Sequence, residues 1–353
     1  MPDTIQAPEK TLREVYQEFQ AENPRTRIRD AARQLDVSEA ELLASGIGID
    51  TVRLEGPWDQ LLKAFKSLGH VMSLTRNEAC VLEHKGTFEK VGTFGSGNHH
   101  MATVIGAIES RVFFKNWAFA FANTMDKGER VMHSIQVFDK AGEAITKIYL
   151  QPDGDLEAYH QLVEKFKSVD QSGELNITPI DAVEYAKDID QEAFLADWTA
   201  LEDTHDFFPM LRKHKAQREH ALELAKGKFT KRVPNTAVNT ILEQASESQL
   251  PIMIFAGNHG NLQIHQDVVK RIVPLDRGEQ QWINVMDPNF NLHLRTDLIA
   301  NSWVVEKPTK DGIVTSVELF DDNKEMIAQF FGLRKPGQTE LTEWKELVAK
   351  LTR

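Results

Sequence analysis

A chain of 353 residues with 41% hydrophobic and 27% charged residues has globular composition and is long enough for two domains. Its formal net charge of -12 sets the long-range field against nucleic acid and anionic membrane, so an anionic ligand would need a local basic exception. One cysteine excludes an intramolecular disulfide, no run approaches the roughly 18 apolar residues of a membrane helix, and Met1–Gln20 lacks the basic start and apolar run of a secretory signal; a soluble protein of a reducing compartment is expected.

In chain order, the first legible feature is RIRDAARQLDVSEAELLAS, Arg27–Ser45, a helix-turn-helix with Ser38 as N-cap and Glu41 completing a capping box. A DNA reader presents basic or amide side chains from its second helix, whereas this one presents Glu39 and Glu41, so the pair reads as structural. Cys80 in ACVLEH sits in an apolar strand pattern and reads as a small core residue. GSGNHH, Gly95–His100, reads as an exposed turn whose adjacent imidazoles point opposite ways. SIQVFDKAGEAITKIYL, Ser134–Leu150, reads as a hairpin and is followed by an amphipathic helix from Leu156.

The polar stretch Ser168–Pro179 opens a linker over 168–190, which separates an N-terminal repeat, 1–167, from a C-terminal repeat, 191–353. The second hairpin, SVELFDDNKEMIAQFFG at Ser316–Gly332, follows the first at a separation of 182 and precedes an amphipathic helix from Leu341. Met72, Asn77 and His84 each have a counterpart 181 residues on, in Met253, Asn258 and His265. Order, spacing and residue type agree, which marks a duplication. The fold class expected is α+β, a tandem repeat of two similar halves, each with a large, mostly antiparallel sheet flanked by helices.

No HExxH, CxxC, GxSxG or Walker motif occurs. The chemically distinctive segment is Asp203–Arg232, where His205, Phe207 and Phe208 precede a basic run of Arg212, Lys213, Lys215, Arg218, Lys226, Lys228, Lys231 and Arg232. Alone, His205 reads as a helix-start histidine capped by Thr204, and the basic run as a solvated helix face. Together, an apolar surface, one imidazole and several cations suit haem, a flat apolar ring whose iron seeks nitrogen and whose propionates are anionic.

Eight ordered blocks, among them SLTRNEACVLEHKG, DTHDFFPMLRKH, LPIMIFAGNHGNLQIH, DPNFNLHLR and IAQFFGLRKPG, cover nearly the whole chain and resemble the HemS/ChuS-type haem-utilisation and hemin-degrading proteins of Gram-negative bacteria. The resemblance implies a cytoplasmic protein that takes haem b from an inner-membrane importer, holds it between the two repeats, and degrades it to release iron with an external electron donor. The alternative it implies is a chaperone that hands haem to a separate haem oxygenase; a DNA-binding regulator ranks third, and neither membrane insertion nor nucleic acid is expected. It further implies His205 as the axial iron ligand, a catalytic role for His205 and Arg111, and Arg111, Arg218, Arg334, Gln329, Phe331 and Phe207 as haem-binding residues. Position 331 is commonly Tyr in the family, so Phe331 removes a hydroxyl donor. Pro209 is also unusual there, and a helix is expected to start or kink at that point.

Overall fold

The computed structural model describes residues 10–126, 128, 130–334 and 337–352; the first nine residues of the stretch read for a leader lie outside them. The first half supplies β1 (Thr51–Leu54), β2 (Val71–Arg76), β3 (Cys80–Gly86), β4 (Lys90–Phe94), β5 (Met101–Ile105), β6 (Ser110–Phe113), β7 (Phe119–Asp126), β8 (Val131–Phe138) and β9 (Ala144–Leu150). The second supplies β10 (Thr230–Val233), β11 (Ile252–Gly257), β12 (Asn261–Asp267), β13 (Ile272–Arg277), β14 (Gln280–Met286), β15 (Phe290–Arg295), β16 (Asn301–Thr309), β17 (Gly312–Phe320) and β18 (Met326–Gly332).

The strands form two nine-stranded sheets, ordered β1-β7-β8-β9-β2-β3-β15-β14-β13 and β10-β16-β17-β18-β11-β12-β6-β5-β4. Advancing every strand number by nine, cyclically, converts one order into the other, so the two hairpins occupy equivalent places and the fold is a duplicated α+β architecture. Each sheet takes six strands from one half and three from the other, a refinement of the expectation that each half builds its own. The antiparallel pairing of β3 with β15, for example Leu82 opposite Leu292, covers an edge that would otherwise present unpaired backbone groups.

By contacts the chain divides into two compact units, one comprising residues up to 73 with 87–104 and 112–180, the other 74–86, 105–111 and 181 onward. In the first, the helix Glu39–Ala44 begins with the expected capping box: Ser38 accepts from the Glu41 amide, and Glu41 returns to the Ser38 amide. Its buried Ala40, Leu43 and Ala44 pack on Phe121, Phe138 and Ala144. Gly142, at φ +77°, closes the β8–β9 turn so tightly against Ser38 that a Cβ there would lie 2.4 Å from the Ser38 hydroxyl.

The second unit has two apolar layers. Helices Ala237–Ser248 and Thr342–Leu351 bury Val238, Ile241, Leu242, Trp344 and Leu347 with Ile252, Ile254, Val317 and Phe330. Elsewhere Phe194, Trp198, Phe207, Leu211 and Leu222 pack with Trp303, Val305 and Phe320, which anchors the segment that carries the candidate site. The 181-residue spacing has a local structural meaning here. Asn77 Nδ2 donates to the Gly257 carbonyl at 3.1 Å, and Asn258 Nδ2 donates to the Arg76 carbonyl at 2.9 Å, a reciprocal pair.

Candidate functional site

His205 lies in a short 3-10 turn, Thr204–Asp206, that leads into the helix Phe207–Lys213. The cap is Asp203, which corrects the expectation of Thr204: the turn begins one residue earlier, and a carboxylate is the stronger acceptor for its amides. Asp203 Oδ1 accepts from the His205 amide at 2.8 Å and from its ring Nδ1 at 2.6 Å, while Asp206 accepts from the Asp203 amide at 3.0 Å. The amide bond chiefly, against the opposing effect of burial, and then the imidazole and the nearby charges of His205 and Arg334 hold the Asp203 carboxyl below its ordinary range. An ionised carboxylate only accepts, so Nδ1 is the donor in that bond, and in the neutral ring this tautomer leaves the lone pair on Nε2. The His205 side chain is 93% exposed, and no hydrogen bond from the described residues reaches Nε2.

The helix starts at Phe207, which places Pro209 in its first turn, where a missing N–H costs no helical bond. Phe207 points inward, whereas Phe208 is exposed beneath Arg212. Two cations lie over the Phe207 ring: the Arg218 guanidinium at 4.9 Å and the Lys307 ammonium at 4.8 Å. Both converge on Glu318. Arg218 forms a bidentate pair at 2.8 Å through Nε and Nη2, and Lys307 reaches Oε1 at 2.8 Å and the Ser316 hydroxyl at 3.1 Å.

Burial alone would raise the Glu318 pKa, but Arg218 and Lys307 together outweigh it and keep the carboxyl ionised, far below its ordinary range. Burial lowers the Lys307 pKa, with Glu318 opposing. Two cations against one carboxylate leave a net positive charge in a poorly solvated place, which favours an incoming anion.

Gln329 stands directly across from Glu318 in the β17–β18 register, with its Nε2 2.8 Å from the Met326 sulfur. Phe331, two residues on, packs edge-on against Phe255 at 5.3 Å and lies 5.5 Å from the Lys307 ammonium. Met253 and Phe255 of β11 and Gln329 and Phe331 of β18 are only half-buried, so they leave a partly open, largely apolar floor beside the cations. Arg334 has its nearest carboxylate oxygen 3.9 Å away on Asp311, its Nε is buried without a hydrogen-bond partner, and its charge is felt at Asp203.

Phe207, Arg218, Gln329 and Phe331 are therefore grouped around Lys307 and Glu318, while His205 and Arg334 share Asp203. Arg111 is not among them. It sits on β6, bonded to the Glu109 carboxylate at 3.1 Å and to the Ser110 carbonyl, and no hydrogen bond or ion pair among the described residues joins it to His205, Arg218 or Arg334. Asp203, Lys307 and Glu318 were missed by sequence reasoning. The available signals were an acid two residues before the histidine and charged residues interrupting strongly apolar strands.

The sequence profile of the haemin-degrading HemS.ChuX domain matches residues 36–166 and 215–351. The chain belongs to this family. It is 36% identical over 345 residues to the hemin transport protein HemS of Yersinia enterocolitica, covering 97% of each chain. It superposes on holo-PhuS, a heme-binding protein from Pseudomonas aeruginosa, with a TM-score of 0.92 and 43% identity, over 96% of this chain and 98% of that one. ChuS, described as an E. coli heme oxygenase, matches with a TM-score of 0.86 and 31% identity over 98% of this chain and 100% of its own.

Proposed function

We propose that this protein binds haem in haem-iron uptake, with Nε2 of His205 as the axial iron ligand. The observation that carries the reading is the surplus of buried positive charge beside an apolar floor and one outward-facing imidazole. A single imidazole offers too few donors for a bare ion but is sufficient for iron whose other four donors come from a porphyrin. Arg218, Lys307 and the under-paired Arg334 would receive propionates, while Phe331, Phe255 and Met253 would face the ring. Phe331 supplies an apolar face without a hydroxyl, so polar recognition rests on the cations. Arg111 is proposed as a haem contact on family resemblance alone.

The compartment proposed is the cytoplasm, with an inner-membrane haem importer as the source of the cargo; no helix among the described residues is long and apolar enough to cross a membrane. The downstream step proposed is ring opening that releases iron, with electrons from an external donor, His205 holding the iron and Arg111 serving near the open face. The relatives described as a heme oxygenase and as a transport protein support degradation and delivery respectively. The 93% exposure of His205 favours delivery as the second reading, because an accepting ligand can approach it.

One experiment addresses both levels. The haem spectrum of His205→Ala should lose its histidine-ligated signature while retaining weakened binding to the cations and the floor; a spectrum identical to the parent's would mean that another histidine ligates. The purified haem complex is then given reductant with and without oxygen. A ring-opened product and free iron mark degradation, and intact haem that moves only to an added haem acceptor marks delivery.

A further inference from the structure

We propose that Asp203 is a positioning residue for His205: its carboxylate orients the imidazole before haem arrives and strengthens it as an electron donor, favouring ferric over ferrous iron. The proposal rests on the reading of His205 as the haem ligand and names a residue acting through it.

The geometry shows two jobs on one oxygen. A capping residue needs only the bond to the His205 backbone amide, at 2.8 Å. Oδ1 also holds the ring Nδ1, at the shorter 2.6 Å. That second bond contributes nothing to the turn's backbone satisfaction. It does fix the tautomer and the rotation of a side chain that is 93% exposed and otherwise without a hydrogen bond to hold it.

The carboxylate is held in turn. Its own backbone amide donates to Asp206, so both residues of the reciprocal box lock the turn from which the ring projects. Nε2 is thereby presented with its lone pair outward and little rotational freedom left to lose on ligation. An anionic acceptor on Nδ1 pushes electron density through the ring toward Nε2. Ferric iron, the more electron-poor state, gains more from that donor than ferrous iron.

The test uses the full-length protein loaded with haem, comparing the parent with Asp203→Asn, Asp203→Glu and Asp203→Ala. Asn is a good N-cap and keeps an acceptor for the amide while removing the charge, so it separates the two jobs. The readouts are ferric haem affinity, the iron(III)/iron(II) midpoint potential, and the iron–histidine stretching frequency of the ferrous complex. Circular dichroism and Tm serve as checks on the fold.

Asp203→Asn should keep the parent's fold, lose roughly 10- to 100-fold in ferric haem affinity, raise the midpoint potential and lower the stretching frequency. Asp203→Glu, which restores the charge, should recover part of the potential. An Asp203→Asn protein with the parent's potential and stretching frequency would overturn the proposal and leave Asp203 as a cap alone. If Asn lowers Tm, the Glu variant still decides: a potential equal to that of Ala despite its carboxylate would also overturn it. The ligand reading fails separately, if His205→Ala keeps the parent's haem spectrum.

Discussion

Acidification should destabilise this protein through two buried histidines that take no part in the proposed site. His84 of β3 and His265 of β12 are 5% and 6% exposed, with ring centroids 5.6 Å apart. The Phe290 ring stacks on His265 at 3.7 Å and lies 4.7 Å from His84. Gln263 meets His84 Nδ1 at 2.7 Å, and Nε2 of both rings has no hydrogen-bond partner. Burial, aided by the neighbouring His265, pushes the His84 pKa down to about 3; burial pushes that of His265 down to about 4, against a backbone bond to Asp267. In the unfolded chain both return to the ordinary histidine value, near 6.5.

Above pH 6.5 both states are neutral at these positions and nothing is contributed. As pH falls below it the unfolded chain binds two protons that the folded protein refuses, so stability declines by up to about 2.7 kcal/mol per pH unit. By pH 4.5 the loss reaches about 5 kcal/mol, comparable with the stability of a typical domain. Urea unfolding between pH 7.5 and 4.5 measures it, with a His84→Leu/His265→Phe variant as reference, because carboxylates titrate alike in both. The parent's stability should fall toward or below that of the variant. Equal pH slopes in parent and double variant would refute the reasoning.

Replacing Glu318 by Gln should cost about 3–5 kcal/mol in chemical unfolding, because it leaves Arg218 and Lys307 without their shared carboxylate, and added haem should restore more Tm than it does in the parent. Arg334→Ala should change Tm little, since its carboxylate contact is 3.9 Å, yet weaken haem affinity about tenfold or more in a spectroscopic titration. Gly142→Ala should lower stability by about 1–2 kcal/mol, through its left-handed backbone and the Ser38 contact, without altering the haem spectrum.

Features governed by neighbours in sequence were legible: the Ser38 cap, both hairpins, the helices after them, and the helix start around Pro209. Pairing of β3 with β15 was not, because the partners lie some two hundred residues apart and no local pattern marks which edge meets which. Within the basic run, composition could not distinguish an inward-turned cation from a solvated one. Lys213 pairs with Asp197, Lys226 with Glu223 and Lys228 with the Thr199 hydroxyl, all near the surface, whereas Arg218 turns inward to Glu318. Lys307 and Glu318 were hidden for a related reason. A charge in an alternating strand ordinarily marks the solvent face, and only the tertiary packing of the segment from Phe194 to Leu224 covers that face here.

The duplication also bears on why a surplus cation arises in the second repeat. Glu39 and Arg218 are each the first residue of matching helices, after the caps Ser38 and Gln217. In the first repeat Glu39 pairs with Lys147, which stands opposite Gln136; in the second Arg218 pairs with Glu318, which stands opposite Gln329. The charges are permuted between equivalent positions but balance one to one. Lys307 breaks the balance, because the hairpin offset of 182 puts Met125 in its place in the first repeat. Lys307→Met should therefore make the second repeat electrostatically like the first. The Arg218–Glu318 pair survives that change and a costly buried ammonium is removed, so stability should hold or rise by about 1–2 kcal/mol, while haem affinity falls about tenfold. A variant that loses more than about 3 kcal/mol of stability yet binds haem as tightly as the parent would show that Lys307 balances the core and receives no anion.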